Sequence, residues 1–211
     1  MKDEREYRAM TMAIEEQPEG EERMIVTGYA STFDEPYELF RGDDYEVWET
    51  VDRHAFDETD MTDVIMQYDH QGRVFARKKN NTLMIDPDDK GLFVRADLGG
   101  TDIGRQLYQE IRGGYTDKMS FGFTVEEDDR EINEDKNGYM KVTRTIKKIG
   151  KLYDVSAVSL PANPGTSISA RFRDGAIAEI EAERLKAQEL KEARMALMER
   201  AKKLAGDKNN D

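Results

Sequence analysis

The sequence predicts a mostly β domain with flanking helices, followed by a long C-terminal helix. Three observations carry this reading. Between residues 24 and 160, short runs rich in β-branched and aromatic residues alternate with Gly, Pro, Asn and Asp. One stretch inside that region changes period, with Ile103, Leu107 and Ile111 recurring every four residues. From about Asp174 the composition shifts to Ala, Glu, Lys, Arg, Leu and Met, all good helix formers. The 211 residues are enough for one sizeable core. The expected division is a flexible N-terminal segment at 1–22, a β domain at 23–172, and a helical arm with a disordered end at 173–211.

The chain through Glu22 is polar and charged, and Pro18 and Gly20 mark irregular backbone. Met24–Ala30, Tyr45–Glu49 and Val64–Tyr68 read as strands, the last leading directly to His70. Ala55–Glu58 suits a short helical turn. Thr82–Asp86 and Gly91–Ala96 flank Pro87-Asp88-Asp89-Lys90, a turn-rich tetrapeptide, and so read as a hairpin. Thr101 or Asp102 can cap the helix that follows, and Gly113-Gly114 ends it.

Met119–Val125 alternates strictly. Met119, Phe121, Phe123 and Val125 point one way; Ser120, Gly122 and Thr124 point the other. Glu126–Gly138 reads as an acidic loop, and Tyr139–Ile149 and Lys151–Leu160 as two further strands that Pro161–Gly165 stops. Leu190, Leu197 and Leu204 fall seven apart, the spacing of an amphipathic helix with a weak coiled-coil seam that Lys191 and Arg194 interrupt.

Formal net charge is −13, which argues against nucleic acid as the main partner, because phosphate binding needs clustered Lys and Arg. The balance from Arg171 onward is +1, so the acidity resides in the preceding body. The absence of cysteine excludes disulfides, thiolate catalysis and cysteine-based zinc sites. Met1–Glu6 is charged and lacks the apolar run of a signal peptide, and no apolar stretch is long enough to span a bilayer. The expectation is a soluble protein used inside a cell, without membrane partner or cofactor.

A serine hydroxyl becomes a nucleophile when a nearby base takes its proton, and histidine is the usual base. The chain has two histidines, His54 and His70. Ser120 lies on the small-residue face of its strand, where a substrate backbone can approach, and His70 ends another strand. Gly122 fits either a close approach to a ligand or a bulge. Spacing alone leaves open whether Ser120 and His70 meet.

Several segments, taken in order, resemble the prohead (capsid-maturation) serine proteases of tailed bacteriophages. They are Gly28-Tyr29-Ala30-Ser31-Thr32-Phe33, Ala55-Phe56, the strand leading to His70, Gly91-Leu92-Phe93-Val94, Lys118-Met119-Ser120-Phe121-Gly122-Phe123, and Leu152 to Pro164. The resemblance covers about residues 24 to 170. It implies a herpesvirus-protease-like β-barrel and a serine endopeptidase that cleaves scaffold, or the scaffold-like segment of the major capsid protein, inside the immature capsid in the bacterial host cytoplasm. It also implies self-association and autoproteolysis. Ser120 matches the family's nucleophile and His70 its general base.

The family's Leu-x-Glu-Val-Ser pattern corresponds to Leu152-Tyr153-Asp154-Val155-Ser156, with Asp154 as the orienting carboxylate one bond shorter than Glu. Herpesvirus relatives use a second histidine, and His54 is the one available; a surface or helix-start role suits it better. Asp69 points to the opposite face of a regular strand. A non-enzymatic scaffolding protein with a protease-like body is the alternative that the helical arm and high charge also suit.

Overall fold

The computed structural model describes residues 5–15, 23–159 and 170–206. The chain divides into two compact units, Met1–Ala170 and Arg171–Asp211. In the first, the elements run β1 (Glu6–Ile14), β2 (Ile25–Thr32), β3 (Tyr37–Arg41), β4 (Tyr45–Val51), β5 (Ile65–Tyr68), β6 (Gln71–Arg77), β7 (Leu83–Pro87), β8 (Gly91–Asp97), α1 (Asp102–Arg112), β9 (Lys118–Glu134) and β10 (Met140–Val158). The described residues of the second unit lie in one long helix, α2 (Ala170–Gly206), whose Leu185, Leu190, Met195, Leu197 and Met198 are exposed. Leu204, the last of the leucines spaced by seven, has a side chain outside the described residues.

The strands order as β3-β4-β10-β9-β1-β2-β8-β7, with β5 on the free part of β10 and β6 beyond β5. β10 runs parallel to β4 and β5, and every other pair is antiparallel. The implied closed barrel is corrected: β3 and β7 pair only with β4 and β8, so the described sheet is mixed and open. Two of its strands change partner along their length. β1 pairs with β9 through residues 6–11 and then with β2 through residues 12–14. β10 pairs with β4 in its first half and β5 in its second.

The sequence reading is corrected at three further places. Residues 1–22 are not flexible throughout, because Glu6–Ile14 forms β1. The acidic loop is mostly strand: β9 continues to Glu134, where its charges lie beside the lysines and arginines of β10. β10 is a single strand of 19 residues carrying register shifts, not two strands. Residues 53–58 form hydrogen-bonded turns, in keeping with the short helical turn expected at Ala55–Glu58. The Pro161–Gly165 stop and the end beyond Gly206 lie outside the described residues.

One apolar cluster unites the sheet with α1. Phe56, Met66, Ile85, Leu92, Met119, Phe121, Phe123, Ile146 and Leu152 are buried in it, and α1 contributes Leu107 and Ile111. The Thr101 hydroxyl caps α1 by accepting from Gly104 N at 3.1 Å. Gly104 has no Cβ because one would fall 2.2 Å from Leu98 O, so the helix N-terminus lies against backbone.

A buried ionic cluster fastens β1 to strands with which it shares no ladder. Arg8 forks onto Glu49 of β4, Nε to Oε1 at 2.6 Å and Nη2 to Oε2 at 2.7 Å. Arg144 of β10 donates to Glu49 at 3.0 Å and to Glu6 at 2.7 and 2.9 Å, and it also bonds Asp128. Tyr37 donates to Glu49. Arg8, Glu49 and Arg144 are all buried, so each charge depends on its partners in place of water.

Arg8→Ala is therefore expected to cost about 3 kcal/mol in urea unfolding at neutral pH, since it takes the bidentate partner from buried Glu49 and leaves it Arg144 and Tyr37 alone; a loss within error would refute the role. The cluster also has an acid limb. Burial pushes the Glu6 carboxyl up, but the bonds and charges of Arg144 and Arg8 outweigh it and leave the pKa below the ordinary 4.5. The stabilisation from Glu6 is thus present above that value and is lost as pH falls through the lower folded one. Glu6→Gln should flatten this part of the stability–pH curve.

Candidate active site

Three neighbouring strands and one hairpin build the site. On β9, the core-facing set Met119, Phe121 and Phe123 is completely buried, which forces Ser120 and Gly122 to the opposite face. β10 lies alongside with Ser156 opposite Ser120 and Asp154 opposite Gly122. The pairing jumps between Leu152, opposite Phe123, and Asp154, opposite Gly122, leaving Tyr153 as the extra residue of a bulge. Without it, Leu152 and Asp154 would share a face. With it, Leu152 enters the core while Asp154 joins Ser120.

His70 arrives from the other side of β10. β5 runs parallel to β10 and turns into β6 through the two residues Asp69 and His70, with Tyr68 paired to Gln71. Both turn residues have positive φ, 47° and 58°, as a type I′ hairpin requires. Non-glycine residues are uncommon in this region, and Asp and His are among those enriched there. Hydrogen bonds to β10 hold the turn: Asp69 N to Ala157 O at 2.9 Å, His70 N to Ser156 Oγ at 3.2 Å, and Ser159 N to Asp69 Oδ1 at 3.2 Å. Asp69 is thus a turn anchor, not a residue on the far face of a regular strand.

The side chains converge. His70 Nε2 lies 2.7 Å from Ser120 Oγ, and His70 Nδ1 lies 2.5 Å from Asp154 Oδ1. A carboxylate can only accept, so Nδ1 carries the proton and Nε2 of the neutral ring accepts from the serine hydroxyl. Ser156 Oγ donates to Asp154 Oδ1 at 2.9 Å while accepting from His70 N. Ser120 and Asp154 are 1% and 2% exposed, whereas the His70 side chain keeps 18%, so the ring is the solvent-facing member. The arrangement can pass a proton from Ser120 to His70 and stabilise the resulting imidazolium.

His54 takes no part in it. It is 72% exposed in the turn after β4, with Nδ1 3.0 Å from Asp57. Two contributors escaped the sequence reading. Ser156 was legible, since it stands two residues beyond Asp154 on the same face. Tyr7 lies in the segment read as flexible, yet its ring centroid is 4.2 Å from that of His70. Met10, Met12 and Ile14, spaced by two, were the signal that this segment is a strand.

The family model for caudovirus prohead serine proteases matches residues 10–181 of this chain. The chain belongs to that family. Among solved structures, it is similar to the bacteriophage T4 capsid assembly protease, gp21, at 14% identity and a TM-score of 0.39, covering 75% of this chain and all of the other. No match is found among curated proteins. At family level, then, this is a serine protease of prohead maturation. Among the described residues, no helix is long and apolar enough to cross a membrane.

Gly122 is the position on which the geometry is most sensitive. A Cβ there would lie 2.6 Å from Asp154 Oδ2 and 2.9 Å from the Tyr7 ring. Gly122→Ala is expected to destabilise the fold by about 1–3 kcal/mol and to separate Asp154 from His70. A crystal structure of the variant with the His70–Asp154 contact intact would refute this.

Proposed function

We propose that this chain is itself an active serine endopeptidase of prohead maturation, with Ser120 as nucleophile, His70 as general base and acid, and Asp154 as the orienting carboxylate. Its substrates are scaffold or the scaffold-like segment of the major capsid protein, and the chain itself. It acts inside the immature capsid in the bacterial host cytoplasm. The observation that carries the reading is the unbroken relay Ser120 Oγ–His70 Nε2 and His70 Nδ1–Asp154 Oδ1, at 2.7 and 2.5 Å.

The chemistry follows from that relay. Ser120 Oγ attacks the scissile carbonyl as its proton moves to His70 Nε2, giving a tetrahedral oxyanion. His70 then delivers the proton to the leaving amine, and the C–N bond breaks to give an acyl-enzyme. Water attacks the ester, losing its proton to His70, and Ser120 regains one as the acid product leaves. Throughout, Asp154 holds the ring by its Nδ1–H, and Ser156 holds both Asp154 and the His70 backbone.

Co-expression with the major capsid protein tests the reading. Ser120→Ala and His70→Ala are each expected to abolish processing, and Asp154→Asn to lower kcat about 10⁴-fold by favouring the wrong tautomer. Unchanged processing by Ser120→Ala would mean a scaffolding protein with a protease-like body. The long helix is proposed as the element that carries the protease into the prohead, because its exposed Leu190, Leu197 and Met198 suit docking on scaffold helices. Truncation at Asp174 should spare peptide cleavage but prevent incorporation, scored by the protease content of purified proheads; equal content would refute the role.

A further inference from the structure

The nucleophile's own strand has no room for a substrate strand. β9 is paired on both sides around Ser120, with Ala9 of β1 opposite on one edge and Ser156 of β10 on the other. Extended peptides bind proteins most simply by adding a strand to an open sheet edge. Among the described residues, β3, β7 and β6 are the terminal strands of the sheet. Of these, β6 begins at the site, since its first residue, Gln71, follows His70 directly.

One face of β6 is not bare solvent. Between it and α1 runs a groove of about 540 Å³, lined by Gln71, Arg73 and Phe75, alternate residues of β6, and by Ile103, Gln106, Leu107 and Glu110 of α1. The helix residues follow i, i+3, i+4 and i+7 spacing, so one face of α1 forms the wall. Tyr68, Phe75, Ile103 and Leu107 make the apolar part, and the first three are only partly buried. Asp69 and Glu110 are acidic and Arg73 basic among its lining residues, so the groove carries both signs of charge.

From this juxtaposition we infer that the substrate segment binds as an added strand along the open edge of β6, with a large apolar side chain in the groove between β6 and α1. The inference rests on the proposed protease function and supplies its substrate class: an extended, unstructured polypeptide with an apolar residue close to the scissile bond. Pairing to β6 fixes the peptide backbone next to His70, and the groove fixes its register. The solvent-facing His70 ring then lies on the side from which the segment arrives.

A random decapeptide library, read by mass spectrometry, together with a fluorophosphonate label for Ser120, tests this. The wild-type chain should cut peptides with a large apolar residue at one fixed distance from the scissile bond. Gln106 is exposed, so Gln106→Trp fills the groove without disturbing the core. It should lower kcat/KM for those peptides about tenfold through KM, with labelling of Ser120 unchanged. N-methylation of a cleaved peptide should impair cleavage at every second residue, the period of strand pairing.

Labelled Ser120 with an uncut library, a Gln106→Trp variant with unchanged KM, or an N-methyl scan without period two would each overturn the inference. Failure of Ser120 to label, by contrast, would overturn the protease reading itself.

Discussion

Where β9 and β10 pass each other at Gly122 and Asp154, the Asp154 carboxylate and the Tyr7 ring fill the space a side chain at 122 would take. The rest of the site depends on this vacancy. The carboxylate can reach His70 Nδ1 only because it lies flat across the neighbouring strand, and the bulge at Tyr153 is what turns it to that face. Ser156, two residues on, then finds both the carboxylate and the His70 backbone within reach. The short reach of Asp, compared with Glu, is met by adjacency: β10 is the direct neighbour of both the serine strand and the histidine hairpin.

The histidine is held by a backbone that the turn alone would not favour. Two successive non-glycine residues at positive φ carry a conformational cost, and such strain persists where surrounding bonds over-determine it. Three hydrogen bonds do so here, two linking the Asp69-His70 turn to the end of β10 and one to Ser159 just beyond it. The same turn leaves β6 as an edge strand leading away from the site. Positioning the base and presenting a strand edge are thus two results of one hairpin.

The N-terminal strand closes the other side. β1 covers the edge of β9 at Ser120 and brings Tyr7 against the His70 ring. What secures it is electrostatic as well as apolar: Arg8, immediately after Tyr7, is buried against Glu49 of a strand that β1 does not touch in the ladder. A buried ion pair contributes little stability against an apolar alternative, but removing one member is costly, so it fixes which strand goes where.

The strand–helix grammar was legible in the sequence because local chemistry dictates it. Alternation placed Ser120 and Gly122 on one face of a strand, the Ile103-Leu107-Ile111 period gave α1 with its Thr101 cap, and the composition after Asp174 gave α2. The candidate trio Ser120, His70 and Asp154 came from motif resemblance rather than periodicity. Tertiary structure decided the rest. Alternation of Leu152 and Asp154 would place both on one face, and only the partner strand's register reveals the bulge that separates them. The left-handed turn at His70 depends on acceptors and donors from β10, 86 residues away in the Ser156 contact. The period of two in Met10, Met12 and Ile14 marks β1 as a strand, but only the tertiary structure shows Glu49 and Arg144 neutralising its charges across the sheet. Local sequence determines the period of each element, whereas burial of a charge, the phase of a bulge and the opening of a barrel depend on residues distant in the chain.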